Sequence, residues 1–252
     1  MTGPMMVTLE PVRVTNLQDL IVDITGKPLD GLPWFAAAML YSAPTIQSRL
    51  RMPEPGPEEV LIHDYQSVTV HSELPRGVDL AAQVVRREKG MTTEFDFSLS
   101  DGRAPAVVLK TALRIVPRAD IRALTPVHFS QEQIRETATR SPKLTISQAQ
   151  ISAYVDLSVD RNPIHSDPAE ARSLGLAAPI VPGLLLAATV QPFARLALGS
   201  IKCRFMAPLC ADETYEIALI PRSSGRMRAF LYRSDRRGLA IADLQGNFLR
   251  SD

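Results

Sequence analysis

The feature that most constrains the fold is a pattern that occurs twice. In the first half, GLPWFAAAMLYSAPTIQSRL (31–50) reads as a helix opening with Pro33, a position tolerant of proline. Four strand-like segments follow, near 60–73, 78–88, 91–100 and 104–116, punctuated by Pro75-Arg76-Gly77, Lys89-Gly90 and Asp101-Gly102. In the second half, VPGLLLAATVQPFARLALG (181–199) reads as a helix opening with Pro182, and strands are expected near 201–209, 213–221, 226–234 and 238–245. Pro44 and Pro192 fall inside the two helices, so each should kink or end there. Repetition of this order at a spacing of about 150 residues predicts one duplicated unit. Between the copies, PRADIRALTPVHFSQEQIRETATRSPK (117–143) is polar and proline-punctuated and reads as a crossing linker, with a helical turn around 130–139.

A chain of 252 residues can bury one large core or two smaller ones. Its 28 basic and 27 acidic residues leave a formal charge of +1, which gives no global attraction to nucleic acid or an anionic membrane. The start, MTGPMMVTLEPVRV, has neither a basic n-region nor an apolar h-region, and the longest apolar run is broken by Pro179 and Pro182. A cytoplasmic protein with no membrane partner is expected. Cys203 and Cys210 form no metal-ligand pattern and read as reduced thiols.

One helix in the second half is closely specified. Ser147-Gln148-Ala149-Gln150 matches a capping box, with Ile146 and Ile151 placed as the hydrophobic staple, so residues 148–157 should be an amphipathic helix. It leads into SVDRNPIHSDP (158–168). Pro163 lacks an N–H and disfavours helical geometry at Asn162, so the helix should give way to a stiff irregular loop, with Asp167 capping another short helix. Such a loop can bring Asp160 and His165 to one point, and a carboxylate with an imidazole on one water is a workable acid–base pair. Asp, Asn and Pro are also the commonest turn formers, and an Asp/His pair in a loop is usually just solvated. Farther on, Gly183 sits at a helix start, where the first N–H groups lack internal partners and could receive a carbonyl oxygen that becomes negative. It could also serve only close packing.

The run ISAYVDLSVDRNPIHSDPAEARSLGLAAPIVPGLLLAATV (151–190) resembles the signature of the MaoC-like, R-specific enoyl-CoA hydratases (hydratase 2): Ala-x-x-Ser-Gly-Asp-x-Asn-Pro-[Ile/Leu]-His-x-Asp-Pro, then Pro-Ile-Val-His-Gly-Met-Leu. IKCRFMAPLCADETYEI (201–217) is similar to the family's Phe-x-x-Pro-Val-x-x-Gly-Asp region. The resemblance implies an α+β double hot dog, with two antiparallel sheets each wrapped round a long helix. It assigns residues 1–125 to a non-catalytic half that houses the acyl chain, and 126–252 to the half carrying the motif. It implies that Asp160 and His165 are catalytic and that the Gly183 N–H receives the thioester carbonyl, with Asn162, Pro163, Val181, Pro182 and Leu184 lining the substrate. The implied activity is a lyase that hydrates trans-2-enoyl thioesters to (R)-3-hydroxyacyl thioesters, or the reverse. No metal or cofactor is expected beyond the pantetheine of a CoA or acyl-carrier-protein substrate. A homodimer is a natural further assembly. Val159 and Pro182 depart from the family's glycine and histidine. The rival readings are a hot-dog thioesterase, against which stands the absence of Asp or Glu in 183–198, and a non-catalytic acyl-thioester-binding protein.

Lys202, Arg204, Arg222, Arg226 and Arg228 could form a basic rim at the entrance, and Trp34, Phe35, Met39 and Tyr41 could line the acyl groove; each set also reads as ordinary surface or core.

Overall fold

The computed structural model describes residues 4–29, 31–102, 104–124, 127–128, 139–222, 227–235 and 239–250. The chain opens with β1 (Met5–Thr8) and α1 (Pro11–Thr25), then a 3-10 helix (Ala36–Ser42) and α2 (Pro44–Leu50). Four long strands follow: β2 (Glu59–Val70), β3 (Asp79–Lys89), β4 (Thr92–Ser100) and β5 (Val107–Pro117). Short strands β6 (Val127–His128), β7 (Thr139–Arg140) and β8 (Leu144–Thr145) lead to α3 (Gln148–Ser158), α4 (Pro168–Ser173) and α5 (Gly183–Ala188). Strands β9 (Ala194–Phe205), β10 (Thr214–Pro221), β11 (Met227–Arg233) and β12 (Leu239–Arg250) complete it.

These strands order as β1-β3-β4-β5-β2-β9-β12-β11-β10-β7, with β6 beside β12 and β8 beside β10. Read outward from the β2–β9 seam, each half gives its first, fourth, third and second long strand, so the duplication is written in the topology. The fold is α+β of the double hot-dog class. The two sheets merge because β2 and β9 pair antiparallel, from Tyr65 opposite Arg204 to Val70 opposite Gly199.

The helices differ from expectation in a consistent way. Neither 31–50 nor 181–199 is one long helix. Pro44 cannot supply an N–H to a preceding turn, so it begins α2 at N1 after a tight alanine-rich 3-10 segment. Pro192 ends the second helix in a 3-10 turn, and from Ala194 the chain is claimed by pairing with β12. The long helix of the first half is instead α1. Its buried Val14, Leu17, Ile21 and Ile24 recur at helical spacing, a stripe that lay open to sequence reading. It packs against α3, and its Arg13 guanidinium donates to the Leu157 carbonyl in the last turn of α3 and to Ser42 Oγ (3.1 Å). A cation there also complements the helix dipole. The turn expected around 130–139 and the 125/126 boundary lie outside the described residues, apart from Thr139, which is in β7.

Most buried side chains form one core spanning both halves. Trp34, Phe35 and Met39 belong to it. Tyr41 is half-buried, with its hydroxyl on Thr111 Oγ1 (2.8 Å). Cys203 and Cys210 are buried free thiols.

A second, smaller cluster decides where the site sits. Val60 and Val116, from β2 and β5 of the first half, pack with Ile164 and Leu174 of the second, and Ile62, Leu176 and Ile180 close over them. Ile164 is only 2% exposed. The loop carrying Asp160 and His165 is therefore seated on the other half's sheet. Alongside it, Arg118 makes a two-point ion pair with Glu170 of α4 (Nη1–Oε1 2.9 Å, Nη2–Oε2 2.9 Å), which holds the Glu170 carboxyl below the usual carboxylate range. Truncating Ile164 should unseat this loop: Ile164→Ala is expected to cost about 3 kcal/mol in chemical denaturation, whereas Ile164→Val should cost about 1 kcal/mol.

Candidate active site

Local chemistry builds the site in sequence order. Ser147 accepts from Gln150 N (3.2 Å) while Gln150 Oε1 accepts from Ser147 N (2.8 Å), and the staple residues Ile146 and Ile151 are fully buried. This fixes the start of α3. The helix ends at Val159 in left-handed geometry (φ 54, ψ 35), with Asp160 N returning to Val155 O (3.2 Å). That conformation explains why glycine suits the position. Val159 is 40% exposed, so its bulk faces solvent and its cost is backbone strain.

Asp160 Oδ1 accepts from Asn162 N (3.0 Å), and Asn162 Oδ1 caps the 3-10 turn Pro163–His165 by accepting from Ile164 N (3.3 Å). Asn162 Nδ2 donates to Leu61 O of β2 (3.3 Å), so the asparagine ties the loop to the first half. Pro163 opens the turn. Asp167 caps α4 through Ala169 N (2.7 Å), as its sequence position predicted.

The pair itself comes together. His165 Nε2 lies 3.7 Å from Asp160 Oδ2. His165 Nδ1 is 2.8 Å from Ile180 O. A carbonyl can only accept, so Nδ1 carries the hydrogen and a neutral ring presents bare Nε2 to the carboxylate. Two acceptors 3.7 Å apart cannot bond each other, but one donor with two hydrogens can serve both. Gln148 Nε2 holds the His165 carbonyl (3.1 Å) from the first turn of α3.

Gly183 opens α5, a helix of six residues, so the relevant donor is an unpaired amide rather than a large dipole. Among the described residues the Gly183 and Leu184 N–H groups have no hydrogen-bond partner. Val181 donates to Leu209 O (2.8 Å), Pro182 is the buried cap residue, and Leu184 is half-buried against the main core. A Cβ on Gly183 would stand 3.0 Å from ring carbons of Phe205, so any larger residue here must push that ring aside by a few tenths of an ångström. In the first half, the corresponding turn Leu32-Pro33-Trp34 is closed by Gln191, whose Oε1 accepts from Trp34 N (2.7 Å) and whose Nε2 donates to Leu32 O (3.0 Å).

Two neighbours were not singled out by sequence reading. His63 on β2 lies against Phe205, with ring centroids 5.0 Å apart and tilted by 54°, and burial pushes its imidazole down to about 4, against the opposing pull of its bond to Tyr65 O and of Asp160. Burial pushes the Tyr154 hydroxyl well above its usual range, with Asp160 adding to the effect. Of the supposed rim, Arg228 is engaged by Asp243 (2.6 and 2.8 Å), Lys202, Arg204 and Arg222 are exposed, and Arg226 lies outside the described residues. An open cleft of about 440 Å³ lined by Asn16, Asp19, Leu20, Ala153, Asp156 and Leu157 contains none of the site residues. Among the described residues no group of three or more His, Cys, Asp and Glu is arranged to hold a metal, and no helix is long and apolar enough to cross a membrane.

Residues 129–220 match the MaoC like domain family. Among solved structures, the chain is similar to HtdX from Mycobacterium tuberculosis, with 17% identity over 97% of this chain and 99% of that one and a TM-score of 0.72. It is also similar to a MaoC-like dehydratase from Phytophthora capsici (19% identity, 100% and 95% coverage, TM-score 0.67). A weaker likeness reaches an acyl-ACP thioesterase from Bacteroides thetaiotaomicron (10% identity, 98% and 97% coverage, TM-score 0.54). No curated protein sequence matches the chain.

Val159→Gly should relieve left-handed strain worth roughly 1–2 kcal/mol, partly offset by glycine's greater freedom when unfolded, for a net gain of about 1 kcal/mol in denaturation. His63 supplies a pH test. Its proton binds the unfolded chain below 6.5 and the folded chain only near 4, so stability present above pH 6.5 is lost as pH falls through that window. His63→Gln should lose less stability than wild type between pH 7 and 4, by on the order of 2 kcal/mol.

Proposed function

We propose a hydro-lyase function for this chain, whose residues 129–220 are a MaoC like domain in a double hot-dog fold. The substrate we infer is a trans-2-enoyl thioester of CoA or acyl carrier protein, hydrated reversibly to the (R)-3-hydroxyacyl thioester. The observation that carries the reading is the pair of acceptors, Asp160 Oδ2 and His165 Nε2, 3.7 Å apart and each held by its own backbone bond.

In this reading one water donates a hydrogen to each acceptor. As its oxygen bonds to C3, one proton passes to the pair, and the pair returns one proton to C2. The C2=C3 double bond becomes a single bond and one O–H bond of water breaks, while C3–O and C2–H bonds form, and nothing else is consumed. During addition the thioester oxygen gains negative charge, which the Gly183 N–H receives. Val181, Pro182 and Leu184 flank that seat, and Asn162 and Pro163 hold the loop above it. The first half, residues 1–125, then houses the acyl chain. No metal or redox group is needed for this chemistry, and the pantetheine arm belongs to the substrate.

The absence of Asp and Glu from 183–198 argues against thioester hydrolysis by a carboxylate aimed from that segment. One assay separates the readings. With crotonyl-CoA and longer enoyl-CoAs, a hydratase removes the conjugated absorbance without releasing thiol, a thioesterase releases thiol, and a binding protein does neither. Asp160→Asn and His165→Gln are each expected to lower kcat by at least about a hundredfold, with unfolding free energy within about 0.5 kcal/mol of wild type. Undiminished turnover in either variant would remove the assignment.

A further inference from the structure

Resting on the reading of Gly183 as the thioester seat, we propose that His63, from the first half, is a positioning residue of the site. Its ring backs Phe205 against Gly183 and so fixes the height at which a carbonyl oxygen meets that amide. The first half is then part of the reaction centre as well as a housing for the acyl chain.

Three observations converge on this residue. First, β2 carries an irregularity here: His63 pairs with Leu113 and Tyr65 with Ala112, leaving Asp64 as an inserted residue. Such bulges bend a strand and re-aim its side chains. Second, the ring is held on both sides. Nε2 lies 3.1 Å from Tyr65 O, which can only accept, so Nε2 carries the hydrogen. The ring packs on Phe205 in a tilted pair, centroids 5.0 Å apart at 54°. Phe205 in turn lies 3.0–3.1 Å from where a Cβ on Gly183 would stand. Third, Leu61, two residues earlier on the same strand, receives the Asn162 side chain. One short segment of β2 therefore touches the loop of the acid–base pair directly and the carbonyl seat through two rings.

The charge state fits this role. Burial disfavours protonation, and the nearby Asp160 and Asp64 carboxylates do not overcome it, so the ring is neutral near pH 7. A cation here would compete with water for the Asp160 carboxylate, and a neutral ring does not.

Gly183 can be read by itself. The chain has two Pro-Gly steps, Pro55-Gly56 and Pro182-Gly183. Full-length protein carrying ¹³C-carbonyl proline and ¹⁵N-glycine therefore reports only two amides. His63→Ala and Phe205→Leu should each shift the Gly183 amide while Gly56 stays in place, and His63→Phe, which keeps a ring, should restore it. With enoyl-CoA substrates, His63→Ala should lower kcat about tenfold with KM within about twofold, the scale of a misplaced reacting group. His63→Phe should recover most of that loss. If His63→Ala does not fold, His63→Gln tests the same ring removal. An unmoved Gly183 resonance would overturn the proposal. So would unchanged kinetics in His63→Ala beside an inactive Asp160→Asn, an outcome that leaves the hydratase reading intact. A wild-type protein that hydrates no enoyl thioester would sink that reading instead, and the Gly183 resonance would still decide the role of His63.

Discussion

Burial of Ile164 between the two halves is the constraint on which the site depends. Asp160 and His165 lie on either side of it, on a loop that forms no strand and only one tight turn. A six-residue loop cannot fix its own geometry. Packed against Val60 and Val116, its middle is anchored in an apolar cluster that neither half could build alone. Burying one such side chain is worth roughly 1.5–3 kcal/mol, more than the roughly 1 kcal/mol of a typical neutral hydrogen bond. Hydrogen bonds then set direction rather than location: Asn162 to Leu61, Gln148 to the His165 carbonyl, and the imidazole to Ile180.

This division of labour accounts for the duplication. The β2–β9 seam brings the first half's sheet beneath the second half's loop, and Arg13 and Arg118 bind α3 and α4 back to first-half segments. At the matching turn of the first half, Gln191 occupies the amide that Gly183 leaves unpaired. One copy thus supplies the loop that carries Asp160 and His165, and the other its floor. The strain at Val159 is tolerated because Tyr154, Ile151 and Ile164 are buried on both sides of it.

Much of the site was legible because its determinants are local. The capping box at Ser147, the proline at 163 and the Asp167 cap each act within four residues, and each forms as read. The four-strand runs were legible from their turns. The extents of the central helices are not legible in this way, because alanine-rich segments satisfy helical spacing while the prolines and the pairing of β9 with β12 decide their ends. α1 is legible in principle, since its apolar stripe is regular. His63 and Phe205 could not be found from sequence: they lie far apart in the chain and meet only through the seam. The Arg13 contact with Leu157 is non-local in the same way.

The proposed chemistry requires two hydrogen-bond acceptors to share a single water beside an unpaired amide. A high-resolution crystal structure of the wild-type protein with an unreactive enoyl-thioester analogue bears on it most directly. An ordered water is expected within about 3.2 Å of both Asp160 Oδ2 and His165 Nε2, facing C3, with the thioester oxygen on the Gly183 N–H. A thioester seated elsewhere, or a carboxylate and imidazole each bound to different waters, would contradict it.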